Sequence, residues 1–195
     1  MRGFPILLLP LLLLAGCASQ RSSRQAPPLW GETVTQEVNA LGIQNWIIVA
    51  ESSFPVVSRR GVRTVMVDAE IPELVDYVVD TLEQSETVNP SFSTARELPF
   101  VKNDRAPGIA HFRGLLKQAL QGREVREMDH RSLNLLAHSD AAKYAVLVLK
   151  TKTALPYSSV FIELDSGYWD RESEDALRDK MRAQQQKIQS SEANN

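Results

Sequence analysis

The chain has 195 residues and only one cysteine, three histidines and nine glycines. A lone thiol excludes an internal disulfide, so whatever folds here is held by its core. The histidines, His111, His130 and His138, show no metal-ligand spacing, and no zinc or other metal site is expected. The glycines form no phosphate-cradling loop, and neither a Ser-His-Asp motif nor a nucleophile elbow is present. Charge of one sign is also lacking: 22 basic residues stand against 24 acidic ones. That balance argues against nucleic acid as a partner.

The cysteine sits where it has an obvious use. Arg2 supplies a positive start, residues 6 to 14 form an apolar run too short to cross a bilayer as a permanent helix, and Ala15-Gly16 are small residues directly before Cys17. This arrangement resembles a bacterial lipoprotein signal. The resemblance implies removal of residues 1–16, acylation of Cys17 and, because Ala18 is not aspartate, an outer-membrane location facing the periplasm. Two or more acyl chains suffice to hold a protein on a membrane, since each buried methylene contributes about 0.8 kcal/mol.

Residues 17–29 are polar and proline-containing and read as a tether. From 30 to 166 the composition is that of one domain with a substantial core. Residues 167–195 are a charged helix and tail with little to pack beyond Leu177 and Met181.

Within the domain, helical and extended patterns alternate. Trp30, Val34, Val38 and Leu41 share a helix face, with Gly42 placed to end that helix in the left-handed conformation. Trp46-Ile47-Ile48-Val49-Ala50 is an unbroken apolar run of strand length. Thr64-Val65-Met66-Val67 is a second, followed by Asp68 as a helix cap and Pro72 in the first turn of a helix striped by Leu74, Val75, Val78, Val79 and Leu82. Pro107 opens another helix, which Gly122 closes before a short extended stretch at Val125. A brief helix through Leu133 and Leu135 leads to the buried run 144–149, then a Leu155-Pro156-Tyr157 turn and a last strand from Val160 to Leu164. The pattern predicts an α/β domain: a largely parallel or mixed sheet with helices on both faces.

Ligands of such sheets collect at the carboxyl ends of strands. Glu51 follows the first strand, where a carboxylate serves either as acid/base or as a plain surface group. His130 ends the extended segment Met128-Asp129-His130, where capping, exposure and a site role all remain open. Lys150 and Lys152 lie at a strand end and read first as solvated. Tyr157, Tyr168 and Trp169 are amphipathic aromatics of the kind that stack on sugars, although packing is the commoner role.

The segment Leu41-Gly42-Ile43-Gln44-Asn45-Trp46-Ile47-Ile48-Val49-Ala50-Glu51-Ser52-Ser53-Phe54-Pro55 is similar to the ribose pyranase and fucose mutarotase (RbsD/FucU) family, in which Leu-Gly-His leads through a buried strand to an aspartate. Ile71-Pro72-Glu73-Leu74-Val75 resembles its entry into a helix. The stretch from Leu149 to Ile162, with Tyr157-Ser158-Ser159, resembles its closing turn and Tyr-x-Asn.

The resemblance implies an RbsD-like fold, a monosaccharide partner, sites between subunits of a cyclic homo-oligomer, and interconversion of anomers or ring forms without a cofactor. Residue by residue, it implies Glu51, His130 and Tyr157 as catalytic groups, and Ser159 and Ile43 as substrate-binding positions. Two departures matter. Ile43 stands where the family has histidine and has no side-chain hydrogen bond to give, and Ser159 replaces the asparagine. Hence the second expectation, a non-catalytic sensing or scaffold lipoprotein that retains the fold.

Overall fold

The computed structural model describes residues 28–140 and 143–193. The elements in chain order are α1 (Gly31–Asn39), β1 (Trp46–Ala50), β2 (Val62–Met66), α2 (Ile71–Glu83), β3 (Val88–Ala95), α3 (Ile109–Ala119), β4 (Val125–Met128), α4 (His130–Asp140), β5 (Val146–Lys150), β6 (Val160–Ser166) and α5 (Arg171–Ala193), with a short 3₁₀ turn at Leu98–Phe100. Cys17 and the signal segment lie outside the described residues, as does the side chain of His138. No described helix is long and apolar enough to cross a membrane.

The six strands form one mixed sheet in the order β2-β5-β1-β6-β3-β4. β1 pairs parallel with β5, β5 with β2, and β3 with β4, while β6 runs antiparallel to both β1 and β3. The α/β sheet expected from the alternating pattern is therefore present. Its centre is β1, buried along its whole length because it has a neighbour on each side and side chains packed on each face.

Alternation splits β1 between two layers. Ile47 and Val49 join the larger cluster with Val34 and Val38 of α1, the α2 stripe, and Ile109, Phe112 and Leu116 of α3. Trp46, Ile48 and Ala50 join Phe54, Val146, Val148 and Phe161 on the opposite face, where α4 contributes Leu133. Helices thus occupy both faces, three on one and α4 on the other. In α5 the described side chains are exposed except those of Ser173 and Glu174, which are half-buried.

Two local expectations are corrected. Gly42 does not take the left-handed conformation; Gln44 does, at φ 67°. α1 stops at Asn39 with Ala40 still right-handed, Leu41 continues to pack on the core, and the reversal falls at the mouth of β1. There the Gln44 amide donates to the Leu164 carbonyl at 2.6 Å.

Asp68 does not cap α2. Glu70 occupies the N-cap position in an extended conformation, and the Ile71 N–H is satisfied by the hydroxyl of Thr153 at 2.9 Å, while Asp68 pairs with Lys152 at 3.4 Å. A hydroxyl from a neighbouring segment has done the work expected of the local carboxylate.

The structure also adds β3, a strand that the polar sequence Val88-Asn89-Pro90-Ser91 does not announce. Pro90 sits opposite Leu164 of β6, whose own N–H and carbonyl are both engaged with the β1 side through Asn45 and Gln44. The pair is therefore a non-hydrogen-bonded one, and the Pro90 nitrogen points toward the β4 side. β4 pairs only from Phe92 onward, so no ladder bond is lost to the proline.

Candidate functional site

Because β6 alone runs against the other strands, its beginning lies at the same edge of the sheet as the carboxyl ends of β1, β4 and β5. β5 and β6 are consecutive in the chain yet flank β1 on opposite sides. The connection 151–159 must therefore arch over the end of β1, where Glu51 stands.

The arch is tied down from below. The Thr151 amide and hydroxyl both donate to the Ala50 carbonyl, at 2.9 and 2.8 Å. The Ser52 amide donates to the Thr153 carbonyl at 2.8 Å, and the Lys152 amide to the Ala69 carbonyl at 3.1 Å. The Ser158 hydroxyl closes the turn on the Leu155 carbonyl at 2.7 Å. Thr151, Thr153, Ser158 and Ser159 are all buried, and each polar atom described here has a partner, as burial requires.

Glu51 is 8% exposed and Ser159 1%. Glu51 Oε2 accepts from the Ser159 amide at 3.1 Å and from the Ser159 hydroxyl. In return the Glu51 amide donates to Ser159 Oγ at 3.2 Å. Bonds to Ser159 converge on one carboxylate oxygen and fix the side-chain orientation, with the other oxygen, Oε1, not used in them. Ser159 thus engages the acid directly through both its amide and its hydroxyl.

Tyr157, two residues earlier, takes the left-handed conformation at φ 59°. A bulky residue pays a strain cost there of order 1–3 kcal/mol, met here by the bonded arch on either side. Its ring stands edge-to-face with that of His130, the centroids 5.3 Å apart and the planes at 86°. The structure therefore brings together two pairs from distant parts of the chain, Glu51 with Ser159 and His130 with Tyr157, and joins them through the two-residue step from Tyr157 to Ser159.

His130 opens α4. Its amide donates to both carboxylate oxygens of Glu97 at 3.2 Å, while Asp129 accepts from the Ser132 amide at 3.0 Å as the helix cap. That bond, with Arg96 alongside, holds the Asp129 carboxyl below its ordinary range. Asn134, one helical turn on, lies against the imidazole with its amide nitrogen 3.1 Å from Nε2. His130 Nδ1 is buried and has no hydrogen-bond partner among the described residues. Glu97 and Asn134 were missed from the sequence, although the i, i+4 spacing from His130 to Asn134 on a short helix was a readable signal.

Ile43 is elsewhere. It precedes β1 at the opposite edge, 47% exposed, and borders a groove of about 610 Å³ with Asp165, Trp169 and Asp170. Trp169 and Tyr168 follow the far end of β6, so they belong to that edge and Tyr157 to the other. Within one chain Ile43 does not meet Glu51, Tyr157 or His130. Lys152 is engaged with Asp68, and His111 lies on the exposed side of α3. A larger groove of about 640 Å³ beside Pro90, Arg123 and Arg126 includes none of the candidate residues. No group of three or more potential metal ligands occurs among the described residues.

No family model and no curated protein matches the sequence. Solved structures do. RbsD of Bacillus subtilis complexed with D-ribose is 14% identical at a TM-score of 0.47, over 73% of this chain and 97% of that one. The fucose mutarotase of Streptococcus pneumoniae in complex with L-fucose is 17% identical at 0.47, over 68% and 91%. FucU from Bifidobacterium longum is 12% identical at 0.45, over 69% and 92%. What the chain resembles, in these comparisons as in the segments quoted above, is the RbsD/FucU family.

Proposed function

We propose that this protein binds a monosaccharide at the arch and speeds the interconversion of its anomers or ring forms, with Glu51 as the principal acid/base. One observation carries the reading: the Glu51–Ser159 pair and the His130–Tyr157 pair meet at a single sheet edge. In the reaction a base takes the proton of the anomeric hydroxyl, whose electrons form the carbonyl as the bond from the anomeric carbon to the ring oxygen breaks. A second group protonates that ring oxygen. Recyclisation after rotation returns both protons, so no cofactor is consumed.

In this reading Glu51 Oε1 addresses the anomeric hydroxyl, and Tyr157 and His130 face the remaining oxygens. Ile43 belongs to the site only if a neighbouring subunit brings its edge to this one, and a cyclic homo-oligomer is therefore part of the proposal. So is attachment through acyl chains on Cys17 to the outer membrane, facing the periplasm.

The test is exchange NMR between the anomeric signals of ribose, fucose and other common sugars, with and without protein. Faster exchange that Glu51→Gln reduces to the buffer rate supports the proposal. Rates equal to buffer for every sugar sink the enzymatic claim. Glu51 is also a structural tie across the arch, and the Ile43 position lacks a proton-transfer group; both favour the alternative, a non-catalytic sugar-sensing or scaffold lipoprotein. Sugar binding without faster exchange is its signature.

A further inference from the structure

His130 is held by Asn134 in a way that determines which of its ring nitrogens carries the proton. The Asn134 side-chain nitrogen lies 3.1 Å from the main-chain carbonyl oxygen of His130 and 3.1 Å from His130 Nε2. A carbonyl oxygen only accepts, so the NH2 end of the amide, not its oxygen, must face it. The same NH2 group faces Nε2. An NH2 group only donates, and Nε2 must therefore offer a lone pair. The proton of the neutral ring is then on Nδ1, the atom that is buried and unpartnered.

We propose that Asn134 is a positioning residue that locks His130 as the Nδ1–H tautomer, so that the ring offers a bound ligand no free lone pair. The inference deepens the sugar-binding reading and rests on it for the identity of the ligand. Its consequence for the reaction is specific. Loss of the Nδ1 proton from a neutral imidazole leaves an imidazolate, a highly unfavourable species, so His130 does not serve as the acid of the reaction. With Nε2 occupied by Asn134, the ring has no lone pair with which to act as base either. Proton transfer falls to Glu51 and Tyr157.

The tautomer is read directly from ring nitrogen and carbon-bound proton correlations in the full chain labelled with 15N-histidine. Spectra are taken without sugar at about pH 8, above the ordinary imidazole range near 6.5. A His130→Gln sample identifies the His130 signals. The expected pattern has Nδ1 at the protonated frequency and Nε2 at the unprotonated one.

Asn134→Asp replaces the donor by a carboxylate, which accepts from Nε2–H, and the two frequencies exchange places. Asn134→Ala removes the donor, and the signals move to intermediate values; it serves also if the aspartate variant does not fold. An Nε2–H pattern in the unmodified protein, or an unchanged pattern in both variants, overturns the proposal. Because these spectra are taken without sugar, the two readings stay apart: the expected tautomer in a protein that neither binds sugar nor speeds anomeric exchange removes the proposed function and leaves the Asn134 assignment standing.

Discussion

Glu51 joins two roles that ordinarily compete, a group that meets a ligand and a group that ties the chain together. Its removal exposes the structural role. In Glu51→Ala the Ser159 amide, buried at the start of β6, loses its acceptor, and the unpaired donor costs about 1–3 kcal/mol. Glu51→Gln keeps an oxygen for that amide and is expected to cost clearly less, while removing the base. Urea unfolding of the two variants separates the roles: equal losses of stability show that the amide bond is not what the carboxylate contributes.

Glu51 was legible in the sequence because it follows an unbroken apolar run. Its partner was not, since Ser159 stands 108 positions away and only the antiparallel direction of β6 makes the two neighbours. The orientation of His130 was hidden for the same kind of reason: sequence spacing brings Asn134 to the ring but does not say which end of the amide faces it.

At the scale of elements, β1, β5 and β6 could be read from composition because burial on both faces demands continuous apolar residues. β3 could not. Ser93 and Thr94 are buried by strands that lie beside them only after folding, and Pro90 is harmless only because β4 starts two residues later. α5 is the opposite case, a helix whose local signals suffice without packing. Asp170 accepts from the Ser173 amide at 2.8 Å, and Glu174 holds the Trp169 indole N–H at 2.8 Å and Arg178 at 2.6 Å.

Hydrogen bonds from Ser173 hold Asp170 below its ordinary carboxyl range, and those from Trp169 and then Arg178 do the same for Glu174. A lowered folded-state value means that the ionised form stabilises the helix start above the ordinary values, 3.8 for aspartate and 4.5 for glutamate, and that this support is lost as pH falls through the lowered ones. The first turn of α5 is therefore expected to loosen in acid below about pH 4 while the sheet persists. Trp169 fluorescence followed against pH checks this, with Glu174→Gln as control. A change confined to the region above pH 5, or one unaffected by the substitution, contradicts it.

For the molecule as a whole, the sheet, its two packed faces and the exposed C-terminal helix describe a body whose proposed attachment lies well before its first helix. If Cys17 carries the anchor, Cys17→Ser leaves the fold intact and transfers the protein from the membrane fraction to the soluble one. Far-UV circular dichroism and fractionation measure the two halves of that statement. Retention of Cys17→Ser in the membrane fraction points to a different mode of attachment, such as a partner in the envelope.

The passage of residues 151–159 over β1 also separates two properties that are usually inseparable. No strand pairing runs through Pro156, so a circular permutant opened at that residue, with the old termini linked, retains all six strands and their registers. It does not retain a continuous span above Glu51. Strand order is then inherited from the sheet, whereas the meeting of Glu51, Ser159 and Tyr157 depends on an unbroken bridge of nine residues. Such a permutant is expected to keep its circular dichroism spectrum while the His130–Tyr157 ring contact is lost.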